Sequence, residues 1–353
     1  MESPLITVLI DTFNYGRYVE EAIESVLSQD FPPEQMQVIV VDDGSTDDTG
    51  VRVKKYDARV QYIYKANGGQ ASAFNYGVAR ARGEIIAFLD ADDYWLPGKL
   101  RRVVDEFKKK PGVGMVHHRL KELDMRTGEF RDGFFCRVDG TLANNIESIL
   151  SYNPTPTSSL ALSRMVIESI FPMPDAIRIQ ADGYVQAIAP FVAPISAVDE
   201  SLAVYRIHGA NLYFLSESDG DKERRKLRAK TMQAIVEGIE AWFYTHGYKQ
   251  SDSVVRATIS RWTRMLEREK FALSPPGRIR FFWHLLKSYR YRLALMNWRL
   301  VVVNCFDAAG ALIVGWRGFP QWEKWRQELI RRVHRVFKPK NFSYDAKNID
   351  DRR

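Results

Sequence analysis

The chain has 353 residues, 45% of them hydrophobic and 27% charged, which excludes a disordered polymer and gives enough length for two domains. Two cysteines, Cys136 and Cys305, are too few for a disulfide framework and form no metal-ligand cluster, so a reducing, cytosolic setting is expected. The net charge of +7 conceals a division, since residues 1–220 carry 22 basic and 31 acidic side chains and residues 221–353 carry 29 and 13, as two modules with different partners would.

The opening MESPLITVLI has no basic region and enters a strand at once, so no signal peptide is expected. Leu5–Ile10 reads as a strand, followed by a helix whose apolar positions Val19, Ala22, Ile23, Val26 and Leu27 share one face. Gln37–Val41 is a second strand, and a helix over Asp47–Tyr56 is expected, capped by Ser45 or Thr46. Val60–Tyr64, a helix over Gln70–Ala81, the strand Ile85–Leu89 and a helix from Gly98 to Lys109 complete the alternation. Continuous apolar strands alternating with helices predict a parallel sheet covered on both faces, with ligands at the carboxyl ends of its strands.

All four strand ends are polar. The first runs into Asp11, Thr12, Phe13 and Asn14; the second into Asp42 and Asp43 before a small-residue turn. The third leads to Asn67, Gly68 and Gln70, with Asn75 on the following helix, and the fourth to Asp90, Ala91, Asp92 and Asp93. Like charges at the end of a buried segment repel and lose hydration, so something must offset them. Carboxylate oxygens spaced one residue apart suit Mg²⁺ or Mn²⁺ bound together with substrate phosphates. A ring at Phe13 and a carboxylate at Asp43 suit a pyrimidine base without excluding guanine. Together these features point to a nucleotide-diphosphate substrate with a divalent metal.

The segments VLIDTFN, VIVVDDGSTDDT, NGGQASAFNYG and ARGEIIAFLDADDYWLPGKL resemble the family 2 glycosyltransferases of GT-A fold. The likeness is dense over roughly residues 4–110 and thinner at QADGY (180–184) and YRIHGAN (205–211). Asp11 is a departure, standing where many members have proline. The resemblance implies an α/β GT-A domain over residues 1–215, with Asp43 toward the base, Asp90 toward the ribose and Asp92 as the principal metal ligand. It implies an inverting transfer in which Asp182, at the start of a helix, is the catalytic base. Arg206 and His208 alternate along a strand and share a face, where they can meet the diphosphate or the metal. A UDP- or dTDP-sugar donor, a saccharide or lipid-linked acceptor and a role in bacterial cell-surface polysaccharide or glycoconjugate synthesis would follow. Nucleotidyl transfer is the competing enzyme reading, although DTFNYGR offers Gly16 and Arg17 without a glycine-rich run. A non-catalytic membrane-surface scaffold is the third, against which the intact acidic residues argue.

Residues 216–353 read as a helical, basic module, with helical spacing over 222–246, 252–272 and 276–300. No acidic residue lies between Glu269 and Asp307, while Lys270, Arg278, Arg280, Lys287, Arg290, Arg292 and Arg299 alternate with aromatic residues. Basic, aromatic helices favour an anionic membrane surface; packing on the catalytic domain and a homo-oligomer interface compete, and no nucleic-acid partner is expected. Leu300–Trp316 is interrupted by Asn304 and Asp307, short of the about 18 uncharged residues of a spanning helix. A cytoplasmic enzyme, peripheral at the inner face of the cytoplasmic membrane, is the expectation.

Overall fold

In the computed structural model the described residues are 4–133, 135, 138–143, 155–209, 211 and 222–293, with isolated positions between 310 and 325. The chain divides into two compact units, Met1–Ile259 and Ser260–Arg353.

The first unit opens with β1 (Ile6–Thr12), α1 (Gly16–Leu27), β2 (Met36–Asp42), α2 (Thr49–Val53), β3 (Gln61–Tyr64), α3 (Gln70–Val78) and β4 (Ile85–Asp90). It continues through β5 (Tyr94–Trp95), α4 (Lys99–Lys109), β6 (Met115–Asp124), β7 (Glu129–Asp132), β8 (Leu160–Ser163), α5 (Arg164–Ile170), α6 (Ala181–Val192) and β9 (Ile195–Ile207). Among the described residues nine strands form one mixed sheet, ordered β3-β2-β1-β4-β8-β6-β9-β5, with β7 on β6. The β1–β4 half is parallel, as the apolar strands predict, and β8 joins it antiparallel.

Both faces are covered, which is why these strands are apolar without alternation. Ile6, Val8, Ile10 and Leu89 pack with Val19, Ile23 and Val26 of α1 and Leu100 and Val103 of α4. On the other face α3 lies close, with the Phe74 and Phe88 rings 4.9 Å apart. Parallel register then aligns the strand ends: Asp11 of β1 stands opposite Asp90 of β4, and Thr12 opposite Asp42 of β2. Four polar strand ends become one edge.

One expectation changes. The helix expected over Asp47–Tyr56 shortens to α2 and a 3₁₀ turn, Lys54–Tyr56, and neither Ser45 nor Thr46 caps it. Ser45 Oγ instead accepts the Asn14 N–H at 2.8 Å, and the Thr46 N–H donates to Asn14 Oδ1 at 2.8 Å, so both residues brace the β1–α1 turn. Past residue 215 the described chain up to Ile259 still belongs to the first compact unit. Helix α7 (Lys222–Thr245) packs on the first unit: Trp242 Nε1 donates to the Ser169 carbonyl at 2.9 Å, and Phe243 meets Phe191 edge-on at 4.7 Å.

Helix α8 (Ser253–Leu273) runs through the division, and α9 (Arg278–Leu293) follows in the second unit, where Phe271, Phe281 and Leu285 form a small core. No described helix is long and apolar enough to cross a membrane. Cys136, Cys305, Arg299 and nearly all of Leu300–Trp316 lie outside the described residues.

Asn75 is placed as a clamp. Its Nδ2 donates to the Met173 carbonyl at 2.8 Å, and its Oδ1 accepts the Met173 N–H at 2.8 Å, tying α3 to the chain that leads into α6. Asn75→Ala leaves both Met173 groups without these partners and should lower stability by about 2 kcal/mol, read from urea denaturation as a lower midpoint at unchanged slope.

Candidate active site

The sheet edge gathers carboxylates. Asp11 and Asp90, register partners on β1 and β4, hydrogen-bond to each other, and Gln70 Nε2 donates to Asp90 Oδ1 at 3.0 Å. Burial, and the charge of Asp92 beside it, push the Asp11 carboxyl up to about 7. Burial together with Asp11, Asp92 and Asp93 pushes Asp90 well above the usual carboxylate range. Among the described residues Asp11 Oδ1 is buried without a hydrogen-bond partner. One proton shared between two facing carboxyl groups is the state this arrangement favours without a cation.

The turn after β4 separates the roles of its two aspartates. Asp93 is fully buried and spends both oxygens on the protein: Oδ2 accepts Ser158 Oγ–H at 2.6 Å and Oδ1 accepts the Arg206 N–H at 2.9 Å. Asp92 Oδ2 faces His208 Nε2 at 3.0 Å, and the Tyr15 hydroxyl also bonds its carboxylate. His208 is fixed by stacking on Tyr18 at 5.0 Å and by its N–H donating to Asn211 Oδ1 at 2.7 Å. Each of Asp90, Asp92 and Asp93 offers an oxygen within 4.8 Å of the others. The donor set is oxygen with one imidazole, suited to Mg²⁺ or Mn²⁺. With Asp93 engaged, Asp90, Asp92 and His208 are the residues that fit the ion, and the orphaned Asp11 oxygen lies beside them.

Arg206 is buried rather than presented to solvent. Its guanidinium donates to the Asp92 carbonyl at 2.8 Å, pairs with Glu21 and lies over the Tyr94 ring at 4.5 Å. It braces the acidic turn from behind.

On the β2–β3 side, Phe13 is 43% exposed at the end of β1, and Asn14 adopts φ +57° to turn the chain there. Thr12 accepts the Asp43 N–H through its carbonyl at 2.9 Å, and Ala91 donates its N–H to the Asp11 carbonyl at 3.0 Å. Asp42 is buried, accepting from the Ser45 N–H at 2.7 Å and the Tyr62 hydroxyl at 2.8 Å. Asp43 pairs with Lys65 at 2.5 Å and takes the Gly68 and Gly69 N–H groups at 2.8 and 2.6 Å. Asn67 Nδ2 donates to the Asp43 carbonyl at 2.9 Å, and its Oδ1 accepts from Arg178. This wall is prebuilt, with its polar groups already oriented.

Asp182 is the second residue of α6, its Oδ1 accepting the Gly183 N–H at 2.9 Å. Burial raises its carboxyl to about 6. Two amides hold its helix to the acidic edge. Gln70, already on Asp90, accepts the Ala181 N–H at 2.9 Å through Oε1. Gln186, one turn beyond Asp182, closes on the Thr155 N–H and carbonyl at 2.7 and 2.8 Å and on the Asp182 carbonyl at 3.2 Å. Thr155 belongs to the strip that carries Ser158, itself bonded to Asp93.

Sequence reasoning missed Tyr15, Lys65, Ser158 and Gln186. Lys65 directly follows β3 and stands next to the polar end, a usable signal; Ser158 and Gln186 reach the site only through long-range contacts.

A model of the family described as Glycosyl transferase family 2 matches residues 7–170. An uncharacterized glycosyltransferase of Nostoc sp. (strain PCC 7120) is 34% identical over 279 residues, 76% of this chain and 84% of the relative. The chain belongs to the family 2 glycosyltransferases. An uncharacterized glycosyltransferase of Rickettsia typhi shares 37% identity over 107 residues, 30% of this chain and 33% of that protein. The fold of this glycosyltransferase matches S. aureus TarS 1-349 in complex with UDP-GlcNAc at TM-score 0.59 and 18% identity, over 92% of each chain. It also matches a mannosyltransferase from Pyrobaculum calidifontis in complex with GDP-Man and Mn²⁺ at TM-score 0.52 and 17% identity, over 96% of this chain and 89% of that one. Both are GT-A likenesses of fold.

The raised carboxyl at Asp11 has a sign that can be tested. Its folded value of about 7 lies above the ordinary 3.8, so the folded state binds the proton more tightly. Its cost to stability is therefore full above pH 7 and fades as pH falls toward 4. Asp11→Asn should raise the melting temperature of EDTA-treated enzyme at pH 8 by a few degrees, roughly 2 kcal/mol, and by much less at pH 5. Thermal melts at the two pH values check it.

Proposed function

We propose that this glycosyltransferase transfers a sugar, with inversion at the anomeric carbon, from a nucleotide-diphosphate donor to a saccharide or lipid-linked acceptor, with UDP- or dTDP-sugars favoured. The observation that carries the reading is the joining of two groups of different chemistry: the Asp90–Asp92 turn and the Asp182 helix, held to each other by Gln70. The first suits a metal-bound diphosphate, the second a proton acceptor.

On this reading the base stacks on Phe13 beside Asp43, and the nucleoside lies along Asp11, Thr12, Asn14, Asp42, Asn67, Gly68 and Ala91. Asp90 faces the ribose. Asn75 and Arg206 act from behind the wall, Asn75 by fixing the approach to α6 and Arg206 by bracing Asp92. Asp92, with His208 and Asp90, would hold Mn²⁺ or Mg²⁺, which when bound offsets the charge of the departing diphosphate. Asp182 accepts the proton of the acceptor hydroxyl as that oxygen attacks the anomeric carbon and the bond to the diphosphate breaks. A carboxyl group near 6 is largely ionised at neutral pH and still basic enough to take that proton. A place in cell-surface polysaccharide or glycoconjugate synthesis, peripheral at the inner face of the cytoplasmic membrane, fits a lipid-linked acceptor.

Asp182→Asn should lower transfer by about 10³-fold or more while leaving binding of the nucleotide sugar unchanged, and Asp92→Asn should remove the metal-dependent part of that binding. For the wild type, kcat/KM should fall tenfold per pH unit below about 6, because Asp182 must be ionised to act. A panel of nucleotide sugars with and without Mn²⁺, followed by product analysis, checks all three; release of pyrophosphate in place of a nucleoside diphosphate would contradict sugar transfer.

A further inference from the structure

Among the described residues of the second unit, one helix face is not used by the small core. In α9, Phe281 and Leu285 turn inward to Phe271. Residues two apart on an α-helix lie about 200° apart around its axis, so Ile279 and Trp283 occupy the opposite face. They are exposed there, at 70% and 58%. Large apolar side chains one turn apart in water are costly unless something covers them.

Charge says what. From residue 268 to 285 every exposed charged side chain is basic: Arg268, Lys270, Arg278 and Arg280. Of the acids nearby, Glu269 is buried, and Glu267 is paired with His284 at 2.6 Å. The sequence then stays free of acidic residues until Asp307. The exposed apolar pair therefore lies on a helix whose surface charge has one sign.

We propose that this face of α9 is a membrane-docking surface for an anionic bilayer, with Ile279 and Trp283 entering the boundary between headgroups and acyl chains and Arg278 and Arg280 meeting the lipid phosphates. Tryptophan with arginine on a single amphipathic helix is the composition that lies in the bilayer interface, and basic side chains near an anionic leaflet add to binding one by one. A second copy of the chain fits less well, since the face would bring its positive charges against themselves. This surface rests on the reading of a membrane-peripheral enzyme and not on the chemistry of Asp182 or the metal.

The test uses full-length protein, no substrate and no metal. Sedimentation with vesicles of phosphatidylcholine, alone or with about a third phosphatidylglycerol, should show binding only to the anionic mixture, weakened by salt. Ile279→Ser with Trp283→Ser, and separately Arg278→Glu with Arg280→Glu, should each reduce that binding about tenfold or more, with unchanged melting temperatures because all four side chains are exposed. Loss of quenching by brominated lipid in Trp283→Ser would place that side chain in the bilayer. Absence of wild-type binding to the anionic vesicles, or undiminished binding by both double variants, overturns the proposal. So does a result in which these variants lose only self-association or binding to an RNA oligonucleotide.

Discussion

The structure is organised around a repulsion. Asp11, Asp90, Asp92, Asp93 and Asp182 converge on one sheet edge, and burial makes the negative charges of Asp11, Asp90, Asp93 and Asp182 more costly than in water. The compensation is one-sided. Behind the turn stand Ser158 on Asp93 and Arg206 on the Asp92 carbonyl. Fully buried Lys99, whose ammonium charge burial disfavours, donates to the Ser158 carbonyl at 2.6 Å behind the same turn. In front, toward Asp11, a carboxylate oxygen remains orphaned among the described residues. An edge neutralised on one side and left acidic on the other is suited to a cation and the phosphates that accompany it.

The second requirement is distance. In the role proposed for Asp182, a base must keep its place relative to the leaving group, and backbone and amide contacts fix where the Asp182 helix stands. Gly69 holds φ +87°, and a Cβ there would sit 2.6 Å from the Arg178 Cα. That close approach lets the Gln70 and Ala71 N–H groups donate to the Arg178 and Ile177 carbonyls at 2.9 and 3.3 Å. The loop that carries the polar end of β3 and the strand of chain leading to Asp182 are thereby laced together. Gln70 and Gln186 complete the link from opposite sides, so the acidic turn and α6 form one framework.

Much of this was legible in the sequence, and the reason is local. β-branched runs ending in polar residues identify buried parallel strands, and parallel register then aligns Asp11 with Asp90 and Thr12 with Asp42 without further information. The GSTDDT stretch misled because a serine and a threonine before a helix resemble caps, whereas Asn14, brought over from β1, had taken Ser45 and Thr46 first. Arg206 looked like a ligand from its strand position; its burial depends on Glu21, Tyr18 and Tyr94, which no spacing connects to it. Helix α7 reads as basic from its first turns, KERRKLR, which hides the Met232, Ile235, Ile239 and Phe243 face that docks on the first unit. Contacts between distant segments, and not propensity, decide these cases.

Whether the acidic edge receives a cation is read by calorimetric titration of Mn²⁺ into the full-length enzyme, without nucleotide, across pH 5.5 to 8 and in buffers of different ionisation enthalpy. Because burial favours a proton shared between the Asp11 and Asp90 carboxyl groups, the cation must displace it. Binding should tighten as pH rises and should release protons, seen as a buffer-dependent enthalpy that vanishes in Asp92→Asn along with binding. A Mn²⁺ affinity independent of pH, or one that survives Asp92→Asn, would contradict an acidic edge built to receive a cation.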